Sequence, residues 1–129
     1  MSQYRLSSDM IPLFRFLPKS VLEQVKSLSK FKELNHGEIL MLEGKKVVSL
    51  YLILDGTLGV YTKDFGENIA LLKVGATIGE MSFIDITGCA SASVKVEAGG
   101  AKVIEFPFSI IQKVILDDPF LSQCFYTLT

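Results

Sequence analysis

The chain has 129 residues, a formal net charge of −1, 49% hydrophobic residues and 21% charged residues. That length suits one domain with a real core, and that balance excludes a disordered chain. Arginine occurs only at Arg5 and Arg15 and the lysines are scattered, so no basic patch points to nucleic acid; no apolar run reaches the ~20 residues that cross a bilayer.

The mean hydropathy of +0.39 is high for a domain of this size. It fits a dense β core, or a face meant for a partner. Met1 to Met10 lacks the layout of a signal peptide. Cys89 and Cys124 are the only cysteines. They read as small semi-buried hydrophobes, both reduced, in a reducing and so cytoplasmic setting.

In chain order, Met10 to Phe16 is a short apolar lead-in. Ser20 and Glu23 stand at capping-box spacing, and Val21, Leu22, Val25 and Leu28 share one helical face. This predicts an amphipathic helix over residues 18–30. After Gly37 the texture changes to short apolar runs punctuated by glycine. The runs Ile39–Leu42, Leu50–Leu54, Thr57–Lys63, Ile69–Val74, Ser91–Glu97 and Lys102–Phe106 predict antiparallel strands. Asp55 and Gly56 predict a tight hairpin, since such turns need positive φ. Asp64, Phe65 and Gly66 spell a kinase magnesium motif, but no kinase fits in this length, and a hairpin turn is the expected reading. Ser109 to Leu116 predicts a helix. Asp118 and Pro119 open another, with a stripe of Phe120, Leu121, Cys124, Phe125 and Leu128. That last pattern stops without a capping glycine, as expected of a helix cut short or one that pairs with something.

The residues offer little chemistry. His36 is the only histidine and sits in a polar turn, so a multi-histidine metal site cannot be built. No zinc or P-loop motif and no nucleophile elbow occurs, and Glu80 has no evident carboxylate partner. No catalytic residue, metal or cofactor is expected, and the chain is not expected to be an enzyme.

The informative stretch runs from Ala76 to Val94. A strand over Gly75–Ile78 is followed by Gly79 and Glu80, then by the apolar, helix-like Met81 to Asp85, a loop, and a strand over Ser91–Val94. A short helix opening on glycine exposes backbone N–H donors that suit an anion.

Here the chain resembles the cyclic nucleotide-binding domain family of bacterial catabolite activators, cyclic-nucleotide-dependent kinases and ion channels. Pro12 to Phe14, Leu17 and Pro18, Gly37 to Leu40, Leu50 to Gly56, Gly75 to Glu80, and Asp118 with Pro119 follow its order and spacing. The resemblance implies a mainly β fold, an antiparallel β-roll or jelly-roll barrel with N- and C-terminal helices. It divides the chain into an N-terminal helical segment (1–31), the roll (32–106) and C-terminal helices (107–129). It implies a phosphate-binding cassette in which Glu80 matches the acid that holds the ribose 2′-hydroxyl. The backbone of Glu80, Met81 and Ser82 matches the stretch that holds the cyclic phosphate, and Ser91 matches a hydroxyl donor. The implied ligand-contacting set is Gly79, Glu80, Met81, Ser82, Ala90, Ser91 and Ala92. At Ala90 the family has an arginine that pairs with the phosphate.

The expected function is a regulatory or sensor module that is degenerate for cyclic AMP and cyclic GMP. The alternative is a protein–protein or dimerisation module with no small-molecule ligand, acting through Phe120, Leu121, Phe125 and Leu128.

Overall fold

Two long strands, each bent near its middle, carry the sheet. They are seen in a computed structural model that describes residues 18–62, 64–79 and 88–117. Ahead of them come α1 (Lys19–Ser27), β1 (Lys30–Leu34) and β2 (Ile39–Met41). The first long strand is β3 (Ser49–Thr62); β4 (Glu67–Leu72) and β5 (Thr77–Ile78) follow it. The second is β6 (Ser93–Pro107), which runs into α2 (Phe108–Leu116). All pairings are antiparallel, in the order β1-β6-β3-β4, with β2 added to β6 and β5 to β3. The fold is mainly β, as the sequence implies.

Strand alternation divides the core in two. On one face Leu50 and Leu52 of β3 and Ile104 and Phe106 of β6 pack against Val21, Leu22 and Val25 of α1 and Ile111 and Val114 of α2. On the other face Tyr51, Ile53, Leu58, Ile78, Val94, Val96 and Val103 fill the inside of the roll. Successive residues of a strand point to opposite faces, so one strand builds both layers. Each fully buried aliphatic or aromatic side chain contributes roughly 1.5–3 kcal/mol.

The expected hairpin at Asp55 and Gly56 is not there. Both flanks of this dipeptide pair with β6, Ile53 with Val103 and Leu58 with Val96, so the strand continues. The positive φ of Gly56 (89°) serves a bend instead of a reversal. β6 bends at the same level, where Glu97, Ala98, Gly99 and Gly100 fall between the paired residues Val96 and Ala101. The runs Ser91–Glu97 and Lys102–Phe106 are therefore one strand, beginning at Ser93. The true reversal is the turn Asp64 to Gly66 between β3 and β4, where Asp64 and Phe65 adopt φ of 57° and 69°.

Two helix expectations are also corrected. Pro18 is the N-cap of α1 and no side chain caps it, because the helix starts at Lys19 and leaves Ser20 inside its first turn. The helix stops at Ser27, since the chain must enter β1 at Lys30; Leu28 is left about half exposed, at 48%. The segments Met10 to Phe16, Met81 to Asp85, and Asp118 to Leu128 lie outside the described residues.

Candidate functional site

The start of the cassette is set by β5. Thr77 and Ile78 pair with Leu52 and Tyr51 of β3, which brings Gly79 against the first residues of that strand. Gly79 has φ of 97°, and a Cβ there would lie 2.6 Å from the Ser49 carbonyl oxygen. Only glycine fits this contact. The other end of the cassette lies on the same stretch of chain. The Val47 N–H donates to the Gly88 carbonyl (2.7 Å), the Ala90 N–H to the Lys45 carbonyl (2.9 Å), and the Gly44 N–H to the Ala90 carbonyl (2.8 Å). Lys46 faces Cys89 across this short ladder. Both flanks of residues 80–87 are thus held by residues 44–49.

Of the expected ligand-contacting residues, the structure brings Gly79 and Ala90 to this one stretch of chain. Ala90 is 5% exposed and Val47, on the facing segment, 6%. Ser91 is exposed and Ala92 half-buried, both in a bend before β6. Glu80, Met81 and Ser82 lie outside the described residues, as do Phe120, Leu121, Phe125 and Leu128. Two lysines stand close in sequence to the cassette, Lys73 before it and Lys95 after it. Lys95 points to the outer face, because its neighbours Val94 and Val96 fill the core; its Nζ lies 4.8 Å from the Tyr61 ring centroid and 5.6 Å from that of Phe65. Lys73 is exposed after β4.

One buried polar cluster carries no signal in the local sequence. Glu105, 8% exposed, accepts the Ser49 hydroxyl (2.7 Å) and the Tyr51 hydroxyl (3.2 Å) on one carboxylate oxygen. The other oxygen pairs with Lys32 Nζ at 2.8 Å. Burial pushes this carboxyl up, but the hydrogen bonds from Lys32, Ser49 and Tyr51 and the charge of Lys32 outweigh it and hold the group below its usual value. Tyr51 is pushed up to about 12, by burial first and then by the Glu105 charge and hydrogen bond. Among the described residues no buried side-chain nitrogen or oxygen lacks a partner.

These shifts make opposite demands on pH. The Glu105 anion stabilises the fold above the ordinary carboxylate pKa of ~4.3, and this is lost as pH falls through its lowered folded value. The neutral Tyr51 phenol stabilises below pH ~10, and this is lost as pH rises toward about 12. Urea midpoints measured from about pH 3 to about pH 11 should fall at both ends. Glu105→Gln is expected to flatten the acid limb and Tyr51→Phe the alkaline one. Limbs unchanged in these variants would show that other groups set them.

A groove of about 460 Å³ lies at the shared bend of the long strands, lined by Glu33, His36, Asp55, Gly99 and Lys102 among others. It shares no residue with the cassette flanks. Among the described residues no group of three potential metal ligands occurs, and no helix is long and apolar enough to cross a membrane.

A bent β-roll with a positive-φ glycine set against its first long strand and a helix before and after it is the architecture of a cyclic nucleotide-binding domain. The chain matches the cyclic nucleotide-binding domain family over residues 31–118 and belongs to that family. No curated protein matches its sequence. Among solved structures, it is similar to the C-linker/CNBHD of zELK channels crystallised in the presence of cAMP. There the TM-score is 0.78 at 20% identity, over 97% of this chain and 63% of that one. It is similar to a cyclic nucleotide-binding-like protein from Brucella abortus, with TM-score 0.74 at 23% identity over 86% of this chain and 97% of that one. It is also similar to the regulatory domain of Toxoplasma gondii PKA with cAMP, with TM-score 0.72 at 18% identity over 85% of this chain and 43% of that one. At these identities the likeness is one of fold.

Proposed function

We propose that this chain is a non-catalytic regulatory module of the cyclic nucleotide-binding type whose cassette does not grip a cyclic phosphate. The observation that carries the reading is Ala90. It stands where the family places the phosphate-pairing arginine, and it is buried with both its backbone N–H and its carbonyl already bonded. Lys95 lies over the Tyr61 ring, Lys73 is exposed after β4, and the charge of Lys32 is taken by Glu105. Arginine gives phosphate a bidentate, charge-assisted contact that alanine cannot replace. Loss of one partner of a buried charged pair costs roughly 2–5 kcal/mol, or about 30-fold to several thousandfold in affinity.

Thermal unfolding with millimolar cyclic AMP, cyclic GMP and 5′-AMP tests this. A ligand at 100 times its Kd stabilises by about 2.7 kcal/mol, a shift of several degrees for a domain of this size. The expected shift is under about two degrees with all three, since none passes half-saturation. A shift of several degrees with a cyclic nucleotide, absent with 5′-AMP, would mean that the cassette works without arginine.

A further inference from the structure

Glu105 is held by three partners, and one of them alone carries charge. The hydroxyls of Ser49 and Tyr51, both on β3, stand 2.7 and 3.2 Å from one carboxylate oxygen, and Lys32 Nζ of β1 stands 2.8 Å from the other. The two ends of this ion pair differ in access: the Glu105 side chain is 11% exposed and that of Lys32 44%. The Lys26–Glu23 pair of α1 is unlike it, since its acid is 60% exposed and stays solvated whatever the lysine does. β1 has little else to hold it. It is the outer strand in the order β1-β6-β3-β4, and among the described residues it pairs with β6 alone. Four of its five residues are exposed, and Leu34 is the one that is buried. Lys30 stands directly across from Glu105 in the register, but Lys32 makes the ion pair.

We propose that Lys32 is a modification-sensitive release point for β1, at which acylation of the amine frees the edge strand from β6. The co-reactant is an activated acyl donor of the acyl phosphate class. The ammonium loses a proton, the neutral amine forms an N–C bond to the acyl carbon, and phosphate leaves with the electrons of the broken C–O bond. Nζ gives up two protons in all, to solvent and to the departing phosphate. The amide that results carries no charge. Glu105 stays in place, because Ser49 and Tyr51 of β3 fix it, and it now faces two neutral donors and no cation. A buried charge left without its partner is costly, and separation of β1 from β6 rehydrates it. Acylation of Lys26 strands no buried charge and has no such effect. The device does not depend on which ligand, if any, the cassette takes.

Amide hydrogen exchange on the full chain without nucleotide tests it. The chain acetylated at Lys32, Lys32→Gln, Lys30→Gln, and Lys32→Gln combined with Glu105→Gln are compared with the wild type. With Lys32 acetylated or replaced, the β1 amides are expected to exchange about tenfold faster or more, a local opening. The amides of Leu50 to Ile53 in β3 are expected to stay at their wild-type rates, and Lys30→Gln is expected to change neither set. Adding Glu105→Gln removes the stranded anion, and should bring the β1 rates back to within about threefold of wild type, a coupling that independent sites do not show. Equal acceleration in the single and double variants overturns the inference, since the anion is then not the cause. So does an equal effect of Lys30→Gln, or equal acceleration in β1 and β3, which is general loss of stability. If Lys32→Gln does not fold, folding restored by Glu105→Gln supports the inference and failure of both variants overturns it.

Discussion

Gly56→Ala is expected to lower the unfolding temperature by roughly 10–20 °C, whereas Gly99→Ala lowers it by roughly 5–10 °C, about half as much. Both glycines have positive φ, 89° and 93°. An L-residue in that region costs about 1–3 kcal/mol at either position. Space separates them. A Cβ at Gly56 would press into the Gly100 carbonyl oxygen and lie 2.7 Å from the Ala101 Cα, whereas one at Gly99 meets nothing within 4 Å. Those contacts at Gly56 are backbone, held in the β3–β6 ladder, and cannot swing aside. Overpacking of that kind adds roughly another 1–3 kcal/mol. Calorimetric melting of the two variants checks the comparison. Equal losses would mean that the two strands do not bend tightly against one another at this level.

Ala90→Arg is expected to create cyclic nucleotide binding, raising affinity by roughly 30-fold to several thousandfold. The argument is the converse of the proposed loss. Ala90 is tied by its own N–H and carbonyl to Lys45 and Gly44, so the backbone geometry of the position is held by bonds that a new side chain does not replace. A guanidinium projecting from it brings to the flank of the cassette the planar, bidentate donor that Lys45 and Lys46 on the same flank do not supply. The same substitution places a long cation at a position only 5% exposed, so a drop in stability without ligand is expected too. The informative readout is therefore the ligand-dependent shift of the variant measured against its own ligand-free state. A variant that folds but shows no response to millimolar cyclic AMP or cyclic GMP would mean that more than one cation separates this cassette from a binding one.

Much of the fold is legible because burial imposes a period of two. Leu50, Leu52, Ile104 and Phe106 face the helices while Tyr51, Ile53 and Val103 face inward, and the apolar runs containing them are unmistakable. The bends are not legible, because glycine reports positive φ and not the fate of the chain. Asp55 with Gly56 suits a hairpin as well as it suits a bend, and only the distant partners in β6 decide. β1 is hidden for a different reason. Lys30, Phe31, Lys32 and Glu33 are all exposed, so no alternation marks them as a strand. The capping box fails because Ser20 and Glu23 meet the spacing without being the boundary; Pro18 sets it.

At the site, the glycine that opens the cassette could be read from the sequence, because its need for positive φ and close approach leaves little choice of residue. The polar cluster could not. Glu105 stands among apolar residues, and its partner Ser49 is 56 positions away, brought near only by strand pairing. The hold of residues 44–49 on the cassette flanks has no motif of its own, since its contacts are made through backbone groups that every residue carries.

The most direct test of the central claim is equilibrium dialysis of labelled cyclic AMP, and separately cyclic GMP, against the wild-type chain. A Kd of about 1 mM or weaker for both corresponds to binding of only about 4 kcal/mol and is the result expected of a cassette with Ala90 in place of an arginine. A Kd in the micromolar range for either would contradict the account, and would place the phosphate-holding charge on a residue other than position 90.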